Sequence, residues 1–578
     1  MKYTNNKNEN ILYWISLSSM MLFMGLFYQE AWQYPVIDSF PLIERILNPE
    51  YLPNDFYTNT FNEFSPRLIL ASCISWVSET LNIHYSLIVA YANILRILLY
   101  SIALYLLFKE LSNRQIALIA LTLSSLSFLS VPFLPAWWPV TFDFTASNVA
   151  LTFSMFSWVK ILQNKVTSAL VLLTAAVIFH PLVGVHSLLL ALILFFNWHG
   201  WNQFLLLFKQ PAVYIAGLIY SAAFLALYLS FDKAVNNETF IEINGLYRHG
   251  HHFIFSHMDI EKWISTFLMI SISLVLLFTT NINPKLRRLC LSIFTYAGFL
   301  TVLGYVFVEL IPTRFMVSFI PMRAFPIIVP IIVLIWASFA WQRFKKDDYL
   351  SFLVLLIPFI PFDKVGLTWF IFPNSHELLL PLIMTFFSFS LVTANIFRPI
   401  LFGKVNSLIS GVIERGHLKN QPAMFILPIA LFGLTLAGSR FELAIPSKDT
   451  DAEIYRWLEA NTSITDIVMS ELNAANNQKI RLLSHRAVVV SKDFPFNEKF
   501  YLDWYQRYQS IYKDRDSARG YIDSQKADYL NTLMDRYKVN ILVRTLPLES
   551  NPHLYLIGES QGEVAKSYIY RNQTLSGL

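Results

Sequence analysis

The feature that most constrains this sequence is a series of long apolar runs, which recur from Ile11 to Gly438. Several of them reach the roughly 20 residues that a helix needs to cross a bilayer. Charged residues make up 14% of the 578 positions and hydrophobic residues 55%, whereas a soluble protein carries about a quarter charged residues. The sequence therefore predicts an α-helical polytopic membrane protein that is surrounded by the lipid bilayer.

Charge and cysteine content exclude several other classes of protein. A net charge of +5 is typical of a membrane protein with Lys- and Arg-rich cytoplasmic loops, so we expect no nucleic-acid partner. Two cysteines, Cys73 and Cys290, are too few for a disulfide scaffold or a Cys-rich metal site. The run Ile11–Tyr28 has no small-residue cleavage site near it, which favours a retained first helix over a signal peptide.

Positive charge predicts the topology, because Lys and Arg accumulate in cytoplasmic loops. With the N-terminus in the cytoplasm, the acidic segment 29–66 becomes a large first outside loop, and the basic loops then fall inside. The stretch Arg67–Leu81 is too short to span comfortably and is predicted to be a re-entrant or interfacial helix. About thirteen spans result. The last, near Ala423–Gly438, brings the C-terminus to the outside.

The composition changes after residue 438, which divides the chain into a transmembrane domain, 1–438, and a soluble extracytoplasmic α/β domain, 439–578. Apolar segments at Asp466–Ser470, Arg486–Ser491 and Val539–Arg544 predict short buried strands. The segments 452–460 and 500–512 have the spacing of helices. A domain of this length can bury its own core.

The unusual polar residues fall on the same predicted side as the soluble domain. They are Asp38, Asp55, Asp143, His180, His186, Arg248, His249, His251, His252, Arg314 and Arg323. A charged residue at membrane depth, such as Arg323, is costly and points to function. Guanidiniums and imidazoles can bind an anionic, phosphate-bearing substrate, and a carboxylate or imidazole nearby can act as a general base.

Several of these residues also have a structural explanation. Asp38 can cap the helix that follows it, and Asp55 can belong to a turn. His180, before Pro181, can simply end a helix. The three histidines of the segment "YRHGHHF" can belong to a solvated loop, contact a phosphate or bind a metal, although their spacing matches no zinc signature. Arg323 can pair with an interior carbonyl or carboxylate.

The whole layout resembles the GT-C superfamily of polytopic glycosyltransferases, in an uncharacterised bacterial branch. The resemblance rests on the acidic first loop "IDSFPLIERILNPEYLPNDFYTN", the short apolar helix after Pro66, and the span "HYSLIVAYANILRILLYSIALYLLFKEL" with an arginine in its middle. The segments "FHPLVGVH" and "YRHGHHF" and a soluble C-terminal domain complete it. The resemblance implies a GT-C-like fold in the bacterial inner membrane.

That resemblance also implies a reaction, the inverting transfer of a sugar from a polyprenyl-phosphate donor to a lipid, glycan or protein acceptor outside the cytoplasm. Asp38 would be the base, with Asp55 as a second catalytic carboxylate. Arg248, Arg314 and Arg323, with the histidines, would hold the leaving phosphate. The acidic loop could also hold a divalent metal ion as a cofactor. The runner-up functions are a transporter or flippase of lipid-linked or anionic solutes, and a non-catalytic surface protein. Transporters often show internal repeats, and none is visible in the sequence.

Overall fold

A computed structural model describes the chain over several ranges. These are residues 39–63, 67–127, 144–229, 235–248, 256, 260–359, 385–386, 388–393, 399–415, 452–470, 474–491, 493–495, 497–512, 527–548, 551–561 and 566–573. The expected first span Ile11–Tyr28, the expected last span Ala423–Gly438 and the predicted boundary at 438 lie outside these ranges.

Helices make up the described chain before residue 416. The first loop forms α1 (Phe40–Leu47) and α2 (Phe56–Asn59). The membrane body follows as α3 (Leu68–Leu81), α4 (Tyr85–Leu111), α5 (Arg114–Ser127), α6 (Ala146–Leu162), α7 (Val166–Phe179), α8 (Pro181–His199), α9 (Trp201–Leu207), α10 (Pro211–Leu229), α11 (Asn237–Ile241), α12 (Ile260–Thr279), α13 (Pro284–Gly304), α14 (Arg314–Phe319), α15 (Phe325–Lys345), α16 (Tyr349–Val354) and α17 (Pro399–Arg415).

Four helical segments of the described chain are long and apolar enough to cross a membrane. They are Tyr85–Leu111, Pro181–His199, Pro284–Leu310 and Arg314–Lys345. A fifth candidate is the pair α9 and α10, which is bent by 68° at a short break. Helix α3, with 14 residues, is shorter than a span, as the sequence predicted. It packs against α1 and α4.

Irregular backbone is concentrated at particular points of the body. Pro181 has no backbone N–H and cannot continue α7, so the chain turns at His180, whose ring nitrogen caps α8 by accepting from Val183 N at 3.3 Å. Two π-helical segments, Glu242–Arg248 and Tyr305–Leu310, extend α11 and α13. Ile320 is left-handed, with φ of 46°, and separates α14 from α15. Short π-helical segments, such as these two, are frequent at functional sites.

The soluble domain contains a five-stranded mixed sheet in the order β2-β1-β3-β5-β4. Its strands are β1 (Ile467–Ser470), β2 (Ala487–Val488), β3 (Ile541–Arg544), β4 (Leu554–Gln561) and β5 (Lys566–Asn572), and its helices are α18 (Ala452–Asn461), α19 (Ala474–Ser484), α20 (Tyr501–Tyr512) and α21 (Ala527–Tyr537). Strands β2, β1 and β3 are parallel, whereas β5 is antiparallel to both β3 and β4.

The predicted elements of this domain are present. The three predicted strands correspond to β1, β2 and β3, although β2 keeps only two residues of its predicted segment. Helices α18 and α20 lie where the sequence placed them. The hairpin of β4 and β5 was not predicted. Its strands contain charged and small polar residues among the apolar ones, so the apolar pattern is weak.

Candidate functional site at the base of the soluble domain

One hydrophobic cluster, which we call the junction cluster, joins the soluble domain to the helical body. Its members from the body are Val235, Phe240, Ile243, Val308, Val317 and Ile320, and those from α20 are Tyr501, Trp504, Tyr508, Ile511 and Tyr512. Phe56, Leu182, Tyr247 and Met316 pack against its edge. These edge residues are chain neighbours of Asp55, His180, Arg248 and Arg314, so the structure brings together the segments that carry the predicted site residues.

Arg323 lies three residues after the left-handed Ile320, in the short 3-10 turn Pro321–Ala324. Its side chain is half-buried within the long apolar segment Arg314–Lys345. His186 of α8 contacts the segment just before this arginine, since its ring packs against that of Phe319 with 4.4 Å between the centroids. The imidazole is 0% exposed, and its Nε2 is 3.1 Å from the carbonyl oxygen of Phe319. Arg323 and His186 therefore both lie in apolar helical segments, three residues after Ile320 and four residues after Leu182 of the junction cluster.

Arg314 already has partners across the domain junction. It forms an ion pair with Glu498 of the soluble domain, and its Nη1 donates to the carbonyl of Val235 at 3.0 Å. Its guanidinium also lies over the ring of Phe240, 4.7 Å from the centroid. A bound phosphate would therefore have to share Arg314 with Glu498.

Asp55 is a fully buried carboxylate with four donors around it. Its Oδ2 accepts from the backbone N and hydroxyl of Thr58, both at 2.8 Å, and from Arg481 Nε at 2.9 Å. Its Oδ1 accepts from Val488 N at 3.0 Å. Asp55 thus caps α2 and holds the first loop against the soluble domain, which favours the structural explanation over the catalytic one.

Arg481 is the centre of this contact and was not predicted from the sequence. It is 1% exposed, bonds Asp55 and Asp493, and lies over the ring of Tyr57 at 5.0 Å. Burial lowers the pKa of the guanidinium, but the charges of Asp55 and Asp493 outweigh burial and raise that pKa above its usual value. The segment "QKIRLLS" alone gives no sign that its arginine is buried.

A polar network connects α20 of the soluble domain to the π-helical segment Glu242–Arg248. The hydroxyl of Tyr505 donates to Glu242, which begins the π-helical segment that ends at Arg248. Gln509 Nε2 donates to the hydroxyl of Tyr505 at 2.6 Å and to that of Tyr247 at 3.5 Å. Burial, and next the hydrogen bond to Glu242, raise the pKa of Tyr505 well above its usual value. The soluble domain therefore fixes the backbone that precedes the predicted Arg/His segment.

Another buried cation of the body is Arg96, in the middle of α4. It is 4% exposed, and its Nε and Nη2 donate to Asn93 Oδ1 at 3.0 and 2.8 Å. The sequence drew attention to this arginine only through the family resemblance. An apolar span around a single arginine is the signal that identifies it.

The remaining predicted residues are placed as follows. Asp38, Asp143, His249, His251 and His252 lie outside the described residues, and for Arg248 only the backbone is described. Within the described ranges, no three His, Cys, Asp or Glu side chains are close enough to share a metal ion. Cys73 and Cys290 are free thiols.

Comparison with known proteins gives one family match. A family described as a domain of unknown function, DUF6798, matches residues 450–511, which form α18 through most of α20. This match covers only the first part of the soluble domain. No curated protein matches the chain.

Solved structures of an oligosaccharyltransferase from Archaeoglobus fulgidus are similar to the chain at low scores. The apo form has a TM-score of 0.39 at 11% identity, over 94% of this chain and 70% of that one. The AglB complex with an inhibitory peptide and a dolichol-phosphate has a TM-score of 0.35 at 11% identity, over 91% and 69%. TM-scores below 0.5 do not establish a shared fold, so no inference rests on this likeness.

Proposed function

We propose that the protein is an integral-membrane glycosyltransferase that moves a sugar from a polyprenyl-phosphate donor to an acceptor on the side of the soluble domain. The observation that carries the proposal is the position of Arg323 and buried His186 within apolar helical segments, next to the junction cluster. Ionisable groups at such depth are costly and mark substrate sites. The guanidinium of Arg323 can form charge-assisted hydrogen bonds with the phosphate of a lipid-linked donor. The GT-C resemblance of the sequence supports the same reaction.

In this proposal the residues have separate roles. Asp38, one residue before the described chain begins, is the base that deprotonates or orients the acceptor hydroxyl. Arg323 is the main phosphate ligand, and Arg248, His249, His251, His252 and His180 are further candidate ligands. Arg314 contributes only in part because Glu498 engages it. Asp55 acts at a distance by holding the first loop, and so α1, in place.

Binding of donor lipids tests the proposal most directly. Purified protein in nanodiscs is incubated with radiolabelled undecaprenyl-phosphate and dolichyl-phosphate hexoses. We expect wild type to bind at least one of them, and Arg323→Gln to bind it at least about tenfold more weakly, because a charge-assisted phosphate contact is lost. His186→Gln should weaken binding less.

The matched control is Lys346→Gln, which removes a cation just past the far end of the same helical segment, outside the site. It should bind as wild type does, and the melting temperature of each variant shows whether it has folded. Binding by Arg323→Gln at the wild-type level, or no binding of any hexose lipid by folded wild type, would overturn the proposal.

A further inference from the structure

A basic groove lies at the end of α13 that is remote from the soluble domain. Its volume is about 450 Å³, and it is lined by Pro284, Arg287, Arg288, Leu291, Ser292 and Thr295. The segment Pro284–Leu310 has 27 residues, which corresponds to roughly 40 Å of helix. Val308, near its other end, belongs to the junction cluster. The groove and the junction cluster are therefore at opposite ends of the segment Pro284–Leu310.

The cations around the groove are bonded to helix carbonyls rather than to acids. Arg287 Nη2 donates to Thr280 O at 3.2 Å, and Arg288 Nη2 donates to Asn197 O at 3.4 Å. Lys285 Nζ donates to Trp198 O at 3.2 Å. Within the described chain none of these three cations forms an ion pair, so no described carboxylate neutralises their positive charge.

Helix capping accounts for one N–H group of each arginine, and a guanidinium has five. Arg287 Nε is buried and has no hydrogen-bond partner among the described residues. A buried donor without a partner costs free energy unless a ligand supplies an acceptor. The lining of the groove contains no carboxylate, so an anion meets no repulsion there.

Exposed apolar side chains follow the groove along the same helix, away from Pro284. Leu291 lies one turn above the arginines, and Phe299 and Val302, further along α13, are 59% and 60% exposed. Trp198, under Lys285 at 5.8 Å, is the type of residue that marks the bilayer interface. Charge at the interface followed by an exposed apolar track fits an amphiphile with an anionic head and a hydrocarbon tail.

We propose that this groove binds an anionic phospholipid, with the phosphate at Arg287 and Arg288 and an acyl chain along α13. The positive end of the helix dipole at Pro284 adds to the attraction. Basic pockets between spanning helices are known to hold such headgroups. The lipid would fasten α13, and through it the π-helical segment Tyr305–Leu310, against α8.

The test uses full-length protein purified in a neutral detergent and probed with phosphatidylglycerol. Native mass spectrometry counts retained lipid, and thermal unfolding in nanodiscs compares pure phosphatidylcholine with a mixture containing phosphatidylglycerol. We expect wild type to retain phosphatidylglycerol and to melt several degrees higher in the mixture. The double variant R287A/R288A should bind roughly 25-fold more weakly, since each cation near an anionic surface contributes roughly a fivefold factor.

Two further variants separate the site from general charge and from misfolding. K345A/K346A removes two cations at the end of α15 and should retain the lipid. Leu291→Trp keeps both arginines, fills the groove and should lose the lipid, so the result does not depend on R287A/R288A folding. Equal retention by wild type, R287A/R288A and Leu291→Trp overturns the proposal. Equal stabilisation by inorganic phosphate alone would also overturn it, because the site would then select a free anion and not a lipid.

Discussion

Asp55 and Arg481 form a fully buried ion pair of 2.9 Å although 426 residues separate them in the sequence. Asp55 belongs to the first loop and Arg481 to a helix of the soluble domain. The same guanidinium bonds Asp493, so two carboxylates share one buried cation. Through this contact the soluble domain binds the first loop, which also carries the proposed base Asp38.

Replacing Arg481 by alanine should loosen the first loop and destabilise the soluble domain. Removing one partner of a buried pair costs about 3–5 kcal/mol because the remaining charges stay buried. We expect a clear loss of thermal stability for Arg481→Ala, with faster proteolysis of the first loop. Thermal unfolding and limited proteolysis in nanodiscs measure both effects.

The matched comparison is the exposed pair of Lys499 and Glu63, which also joins the first loop to the soluble domain. Its side chains are 62% and 43% exposed, so Lys499→Ala should cost less than about 1 kcal/mol. Arg481→Ala with a melting temperature equal to that of Lys499→Ala would contradict the proposed role of the buried pair.

The body could be predicted from the sequence more readily than the junction. Apolar runs predicted the span that forms α4 and the shortness of α3, because bilayer thickness sets the length of a helix. The turn at His180 was expected from Pro181. Arg481 could not be predicted, because its burial depends on a partner 426 residues away that no local pattern reveals. The role of Asp55 was left open for the same reason, since capping and catalysis require the same carboxylate.

Gly184 permits a close contact between α7 and α8. A methyl group at this position would lie 2.5 Å from Val177 Cα, and a backbone atom cannot move aside easily. Gly184→Ala should therefore destabilise by about 1–3 kcal/mol and displace the start of α8, which carries His180 and His186. We expect a lower melting temperature together with weaker donor-lipid binding.

Gly298 supplies the control for that substitution. It lies in α13 with no atom within 4 Å of an added methyl group. Gly298→Ala should leave donor binding unchanged and should not lower the melting temperature, since alanine favours a helix by roughly 0.5–1 kcal/mol over glycine. A destabilised Gly298→Ala beside a neutral Gly184→Ala would show that helix packing at Val177 is not the controlling contact.

The predicted topology places the soluble domain outside and the end of α15 inside. In a background with Cys73→Ser and Cys290→Ser, single cysteines are introduced as Asp535→Cys on α21 or Lys346→Cys after α15, both at exposed positions. A membrane-impermeant maleimide added to intact cells should label Asp535→Cys and spare Lys346→Cys until the membrane is permeabilised. Labelling of Lys346→Cys alone in intact cells would invert the topology.

The two carboxylates that the sequence proposed as catalytic should respond differently to the same substitution. Asp55→Asn keeps the side-chain oxygen that caps α2 but removes the charge that faces Arg481. It should lower the melting temperature, because Arg481 is then left with Asp493 as its only carboxylate partner. Asp38→Asn should leave the melting temperature close to that of wild type, because the proposal gives Asp38 a role in the reaction and none in stability.

Donor binding and sugar transfer complete this comparison. Asp38→Asn should still bind the polyprenyl-phosphate hexose that wild type binds, and should transfer the sugar at least about a hundredfold more slowly, because a positioned base contributes 10²–10⁴ in rate. Asp55→Asn, assayed well below its melting temperature, should keep a measurable transfer rate. If instead Asp55→Asn is stable and inactive while Asp38→Asn transfers sugar normally, Asp55 is the base, and its contact with Arg481 must open during the reaction.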